Sequence, residues 1–167
     1  MILRQYYDAL TVCALGQDSK TMKSCSGSIY SNGVTASAAN KLFFLYNAMT
    51  AVATSNANTG VSFGTGDTPV SVDDYSLSGS RITTLSGTGA VTKTHDSTNR
   101  VTTLSSVFTL TNTSDEDITI KEVGLQLNYT GNWTFMVDRT VLEAPLTIQP
   151  GGVGQVTYTI TLKYPTT

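Results

Sequence analysis

The chain has 167 residues, of which 40% are hydrophobic and only 13% charged, and its formal net charge is −2. That length suits one domain with a real core, and no stretch approaches the length of a membrane span. With no basic block, electrostatic nucleic-acid binding is excluded as a reading. Thr, Ser, Gly and Asn stand where charges usually would, which suits wet strand faces and turns and favours β over α.

The N-terminal run MILRQYYDALTVCALG carries Arg4 and Asp8 where a signal peptide needs an apolar core, so no export signal is read there. Three Asn-x-Ser/Thr sites, at Asn112, Asn128 and Asn132, are accordingly discounted as glycan acceptors. Cys13 and Cys25 are too far apart for a redox CxxC pair, and no second pair completes a zinc site. They are expected to be free or buried thiols in a reducing cytoplasm, with a disulfide as the alternative. After the polar tract Gly16–Lys23 and the turn signal Ser31-Asn32-Gly33 comes a helical pattern over 36–53. Ala38, Leu42, Leu45, Met49 and Val52 form its stripe, with Thr35 or Ser37 as cap. Phe43 and Tyr46 widen the stripe, whereas Phe44 points away from it. Phe44 packs within the chain or contacts a second subunit.

From Gly60 onward the period becomes two. Val61 and Phe63 open a strand that stops at Gly64–Pro69, and Arg81–Thr94 and Val101–Thr111 read as further strands. Leu104, Phe108 and Leu110 share one face of the latter. Ile118 and Ile120 alternate on even positions, but Val123, Leu125, Leu127 and Tyr129 alternate on odd ones. A regular strand cannot change faces, so the pattern predicts a β-bulge or sharp bend at Lys121-Glu122. Phe135, Val137 and Val141 follow the Gly131-Asn132 turn. After the turn Pro150-Gly151-Gly152, Val156, Tyr158, Ile160, Leu162 and Tyr164 alternate with Thr157, Thr159, Thr161 and Lys163. The expectation is a mainly β protein: an antiparallel β-sandwich, jelly-roll or Greek-key like, over 58–167. An N-terminal segment, 1–57, would carry the helix and serve docking or oligomerisation.

Chemistry is sparse. The single histidine, His95, is expected in a solvated loop, with neither Ser97 nor Cys25 at a spacing that makes it a general base. Gly64-Thr65-Gly66 lacks the Lys-Ser/Thr ending and the following helix of a phosphate loop. Asp73-Asp74 and Asp115-Glu116-Asp117 lack the alternating spacing of a calcium loop and read as solvated turns, although a cation held by both clusters stays open. Glu122 and Glu143 would make a hydrolytic pair only if they faced one cleft. Tyr129, Trp133 and Phe135 surround one turn. Trp133 is a candidate glycan contact, the alternative being that it covers the end of the core. No catalytic, metal or cofactor residue emerges.

An ordered set of short elements carries a family resemblance: Gly64–Pro69 (GTGDTP), Asp74–Leu77 (DYSL), Phe108–Ser114 (FTLTNTS), Ile120–Leu125 (IKEVGL) and Arg139–Gly152 (RTVLEAPLTIQPGG). Together, across about residues 60–164, they resemble small structural proteins of tailed bacteriophages. The resemblance implies a non-enzymatic virion protein, a head decoration or cement protein or a neck, tail or fibre component, made in the host cytoplasm. Its partners would be other virion proteins and copies of itself, with Phe44 and Tyr46 as candidate contacts. The alternative is a carbohydrate-binding or host-adhesion sandwich.

Overall fold

Alternation of apolar with hydroxyl-bearing residues builds two antiparallel three-stranded sheets. The computed structural model describes residues 1–8, 22–30, 45–130 and 133–163. Residues 4–8 are helical, and β1 (Met22–Lys23) pairs with β2 (Ile29–Tyr30) in a small hairpin. A four-residue helix, Leu45–Ala48, precedes β3 (Gly60–Gly64). Then come β4 (Leu85–Asp96), β5 (Val101–Asn112), β6 (Ile118–Thr130), β7 (Trp133–Ile148) and β8 (Val153–Lys163). The sheet orders are β3-β6-β7 and β4-β5-β8, so β3 lies beside β6 and β5 beside β8. Such non-consecutive neighbours exclude a meander and fit the expected sandwich.

Side chains from both sheets meet in one core. Val61, Phe63, Val123, Leu125, Leu127, Phe135 and Val137 face Phe108, Leu110, Val156, Tyr158 and Ile160. Phe63 and Phe108 touch edge to face across the sheets at 5.7 Å between ring centroids, a favoured aromatic geometry. N-terminal residues join the same core: Tyr6, Met22, Leu45, Ala48 and Met49 are all buried in it.

The bulge expected at Lys121-Glu122 is present. Ile120 pairs with Leu146 and Glu122 with Val141, so Lys121 stands opposite Leu142, Glu143, Ala144 and Pro145. Pro145 cannot donate to a ladder and is tolerated where pairing is interrupted. Ile118 and Ile120 can therefore share the core with the odd-numbered Val123, Leu125 and Leu127. A second shift was not legible in the sequence. Leu125 pairs with Asp138 and Gln126 with Met136, leaving Val137 as the extra residue of β7. Phe135, Val137 and Arg139 would otherwise point the same way. The bulge buries the first two in the core and sends Arg139 to the opposite face of the sheet.

The helix expected over 36–53 is present at Leu45–Ala48, and its C-terminal end is corrected. Its first part, with Phe44, lies outside the described residues, and the described part ends at Ala48. Ala51 and Val52 instead form bridges with Thr88 and Val61. The Val61 amide donates to Ala51 O, and the Ala53 amide to Val61 O, each at 2.8 Å. The stripe residues Leu45 and Met49 are buried, but Tyr46 is half exposed rather than widening the stripe. Pairing with β3 overrides the helical period here, because β-branched Val52 suits a strand equally well.

Candidate functional site

The most densely bonded group of polar side chains lies on the face of β3-β6-β7 turned away from the core. Glu122 of β6 and Arg139 of β7 are both fully buried there, joined by Nε–Oε2 at 2.7 Å. Glu122 also accepts the amides of Gly66 (3.1 Å), Ser78 (3.0 Å) and Gly79 (2.8 Å) and the Ser78 hydroxyl (3.1 Å). Arg139 donates to Asp74 (2.6 Å), the Thr68 carbonyl (2.8 Å) and Ser78 Oγ (2.6 Å). This clamp pins the whole 65–80 connection onto the sheet. Burial pushes the Glu122 carboxyl up, but the Ser78 and Gly79 amides and the Arg139 guanidinium outweigh it and hold the pKa below the ordinary carboxylate range. The pair is fully satisfied, which a buried ion pair needs to be tolerated.

Glycine is required for the loop to approach so closely. A Cβ on Gly66 would come within 2.1 Å of Ser78 Oγ and 2.4 Å of the Gly79 nitrogen. No side chain fits there.

A second knot closes the other end. Buried Asn112 donates through Nδ2 to the carbonyls of Glu116 (2.7 Å) and Ile148 (2.9 Å). Its Oδ1 accepts the amide and hydroxyl of Ser114. Its backbone amide donates to Gly152 O, and its carbonyl accepts from Gly151 N. Gly151 adopts φ 66, the left-handed turn that its residue type suits.

All five elements of the sequence resemblance thus meet in two scaffold knots. Gly64–Pro69, Asp74–Leu77, Glu122 and Arg139 make the first, and Asn112–Ser114 with Ile148–Gly152 the second. Asp74 departs from expectation: it is a clamp member and not a free turn carboxylate, while its neighbour Asp73 pairs with Arg4 at 2.8 Å on the surface. Asp115, Glu116 and Asp117 are exposed. Among the described residues no group of three or more His, Cys, Asp or Glu could hold a metal.

His95 belongs to β4 and not to the following loop; it is exposed, with Nδ1 3.0 Å from Thr102 Oγ1. Cys25 is far from it, buried with Leu3, Leu77 and Met136 against the other sheet. Cys13 lies outside the described residues. Both Glu122 oxygens are occupied by the clamp and Glu143 is exposed, so the two do not make a hydrolytic pair. Trp133 is partly buried against the core and Phe135 fully so. Tyr46 lines a surface pocket of about 390 Å³ with Tyr6, Leu45, Lys93, Leu104 and Leu162.

The chain matches no protein-family model, no curated protein and no solved structure.

Two surface features escaped sequence reasoning. One is the outer face of β4-β5-β8, whose rows follow from the strand register. Thr88, Thr109 and Gln155 form one row, Ala90, Val107 and Thr157 the next, then Thr92, Ser105 and Thr159, then Thr94, Thr103 and Thr161. Charge enters only in the last row, where Asp96 and Lys163 flank Val101 from opposite edges. Its signal was the Thr alternation of β8, legible in sequence, but the partners of that face needed the register. The other feature is a cleft of about 420 Å³ lined by Cys25, Ser55, Asn56, Ser76, Gly79 and Arg81. No helix among the described residues is long and apolar enough to cross a membrane.

Proposed function

We propose that this chain is a non-enzymatic structural protein of a tailed-phage virion, acting through protein–protein contacts with other virion proteins and with its own copies. The observation that carries this reading is the convergence of the five phage-like elements on the two knots. Motifs kept for a scaffold are what a family of assembly proteins would share, while their contact surfaces vary. The polar cluster best placed for chemistry is consumed by that scaffold: both Glu122 oxygens and all three Arg139 side-chain nitrogens are held in hydrogen bonds. The exposed Tyr46 and the N-terminal segment with Phe44 remain candidate contacts for other virion components.

The outer face of β4-β5-β8 is the surface for self-association. A two-fold axis parallel to β5 would lay β4 of one copy over β8 of the other and β5 over β5. Val107, 40% exposed at the centre, would then meet its own counterpart. Asp96 would face Lys163 at both corners, as an isologous contact requires. From strand spacing and rise the face covers on the order of 500 Å² per copy, below the ~800 Å² per partner of a stable complex. The contact is therefore weak alone and effective when many copies are arrayed.

Co-sedimentation tests the reading. The protein, expressed with its phage, should appear in purified particles at a fixed copy number that resists salt washing. Its absence from particles while abundant in the lysate would overturn it.

A further inference from the structure

The cleft on the loop side of β3-β6-β7 contains an arginine with no counter-ion among the described residues. Arg81 is partly buried, donates through Nη1 to Ala53 O (3.0 Å) and through Nη2 to Asn56 Oδ1 (2.7 Å), and forms no ion pair among the described residues. Both acceptors are neutral, so they fix the guanidinium in place without neutralising it. The fully buried charges of the described fold are matched: Arg139 has Glu122 and Asp74, and Asp138 has the Met1 amino group. A partly desolvated charge without a partner is costly, and burial indeed pushes the Arg81 guanidinium's pKa down. The remaining guanidinium N–H groups are not engaged by any protein acceptor among the described residues.

The surroundings define what fits. The cleft, about 420 Å³, is lined by the hydroxyl-bearing Thr54, Ser55, Ser76 and Thr83 together with Asn56. Its volume lies in the range of small-ligand sites. One guanidinium supplies a single positive charge in a planar fork, the geometry that carboxylate matches with two parallel hydrogen bonds. A phosphate dianion would need more charge or a nest of free amides. The nearest such amides, Ser78 and Gly79, are already given to Glu122. The Cys25 thiol on the cleft wall is buried and its pKa pushed up to about 12 by that burial, so it stays neutral and adds no competing anion.

We propose that the Arg81 cleft is a carboxylate-binding site, in which a mono-anionic carboxylate docks on the guanidinium fork with hydroxyl donors from the rim. The site does not depend on the virion reading, and it would serve equally for a free acid or for a carboxylate borne by another chain.

The probe is sodium acetate, followed by ¹H–¹⁵N spectra of the full chain that include the arginine Nε–H signals. Acetate should shift Arg81 Nε–H and the amides of Ser55, Asn56 and Ser76–Gly79 along a saturating curve, and acetamide should shift none of them. Arg81→Lys keeps the charge but loses the fork, and should bind acetate at least fivefold more weakly. Arg81→Gln should abolish the shifts, with the thermal midpoint recorded to show that it is folded. The proposal is overturned if acetate produces no saturable shift there, if inorganic phosphate binds as tightly as acetate, or if folded Arg81→Gln binds as the parent does.

Discussion

Arg139 sits at the centre of the structure's residue-scale logic. It is 1% exposed and holds a carboxylate on each side of its guanidinium. Replacing it with Ala leaves Glu122 buried without its partner, a kind of change that costs about 3–5 kcal/mol. Arg139→Ala should therefore lower the urea midpoint steeply, and an unchanged midpoint would contradict the clamp. Gly66→Ala should destabilise by roughly 1–3 kcal/mol through overpacking, because Ser78 and Gly79 leave no room for a Cβ. The clamp also sets an acid limit. Glu122 has a folded pKa below its unfolded value, so its stabilising contribution is fully present above the unfolded pKa of about 4.3. It is lost as pH falls through the folded value. Denaturant titrations from pH 6 to pH 2.5 should show stability falling below about pH 4.3, with the fall smaller in Glu122→Gln. Equal slopes in both proteins would count against it. At this scale the sequence spoke partly. The Glu in IKEVGL and the Arg in RTVL stood out as motif residues, but nothing in their spacing paired them. That pairing needs β6 beside β7 and a loop folded over both.

The elements show how pairing overrides local pattern. The parity change from Ile120 to Val123 was enough to locate one bulge, because apolar residues on both parities must reach the same core. The shift at Val137 left no such trace. Asp138 and Arg139 are both polar, so the alternation stops there, and only the ladder partners reveal the extra residue. Deleting Val137 would restore regular pairing and leave Arg139 opposite Gly124 on the loop-side face, so the loss is that of the fully buried Val137 side chain. The expected cost is about 1.5–3 kcal/mol, read as a lower urea midpoint with the dispersed amide spectrum kept. A deletion variant with parent stability would refute the core role assigned to this extra residue. The last part of the helix expected over 36–53 gave way for the opposite reason. Residues 45, 49 and 52 fit a 3.6-residue stripe, yet Ala51 and Val52 bond to β3 and β4 neighbours. A short apolar run carries no information about which partner will claim it.

Across the whole molecule, the two faces of the sandwich are treated differently. The β3-β6-β7 sheet is buried on both sides, by the core and by the 65–80 loop, whereas β4-β5-β8 turns a hydroxyl-rich face to solvent. That division was legible as fold class but not as function, since the Thr alternation of a wet strand looks the same whether it faces water or another copy. The two-fold pairing proposed for this face makes a charge test available. Lys163→Glu would set like charges against Asp96 of the other copy and should weaken self-association in sedimentation equilibrium at least tenfold. Adding Asp96→Asn, which keeps the side-chain acceptor for the Thr98 and Asn99 amides, should restore part of it. Val107→Arg should abolish it. Identical sedimentation of all three variants and the parent would rule out this face. The central claim, that the chain is a virion building block, is tested most directly by imaging purified particles carrying a compact tag on this protein. Tag density is expected at symmetry-related positions on the head, neck or tail. Particles of normal composition and stability with no tag anywhere on them would contradict it.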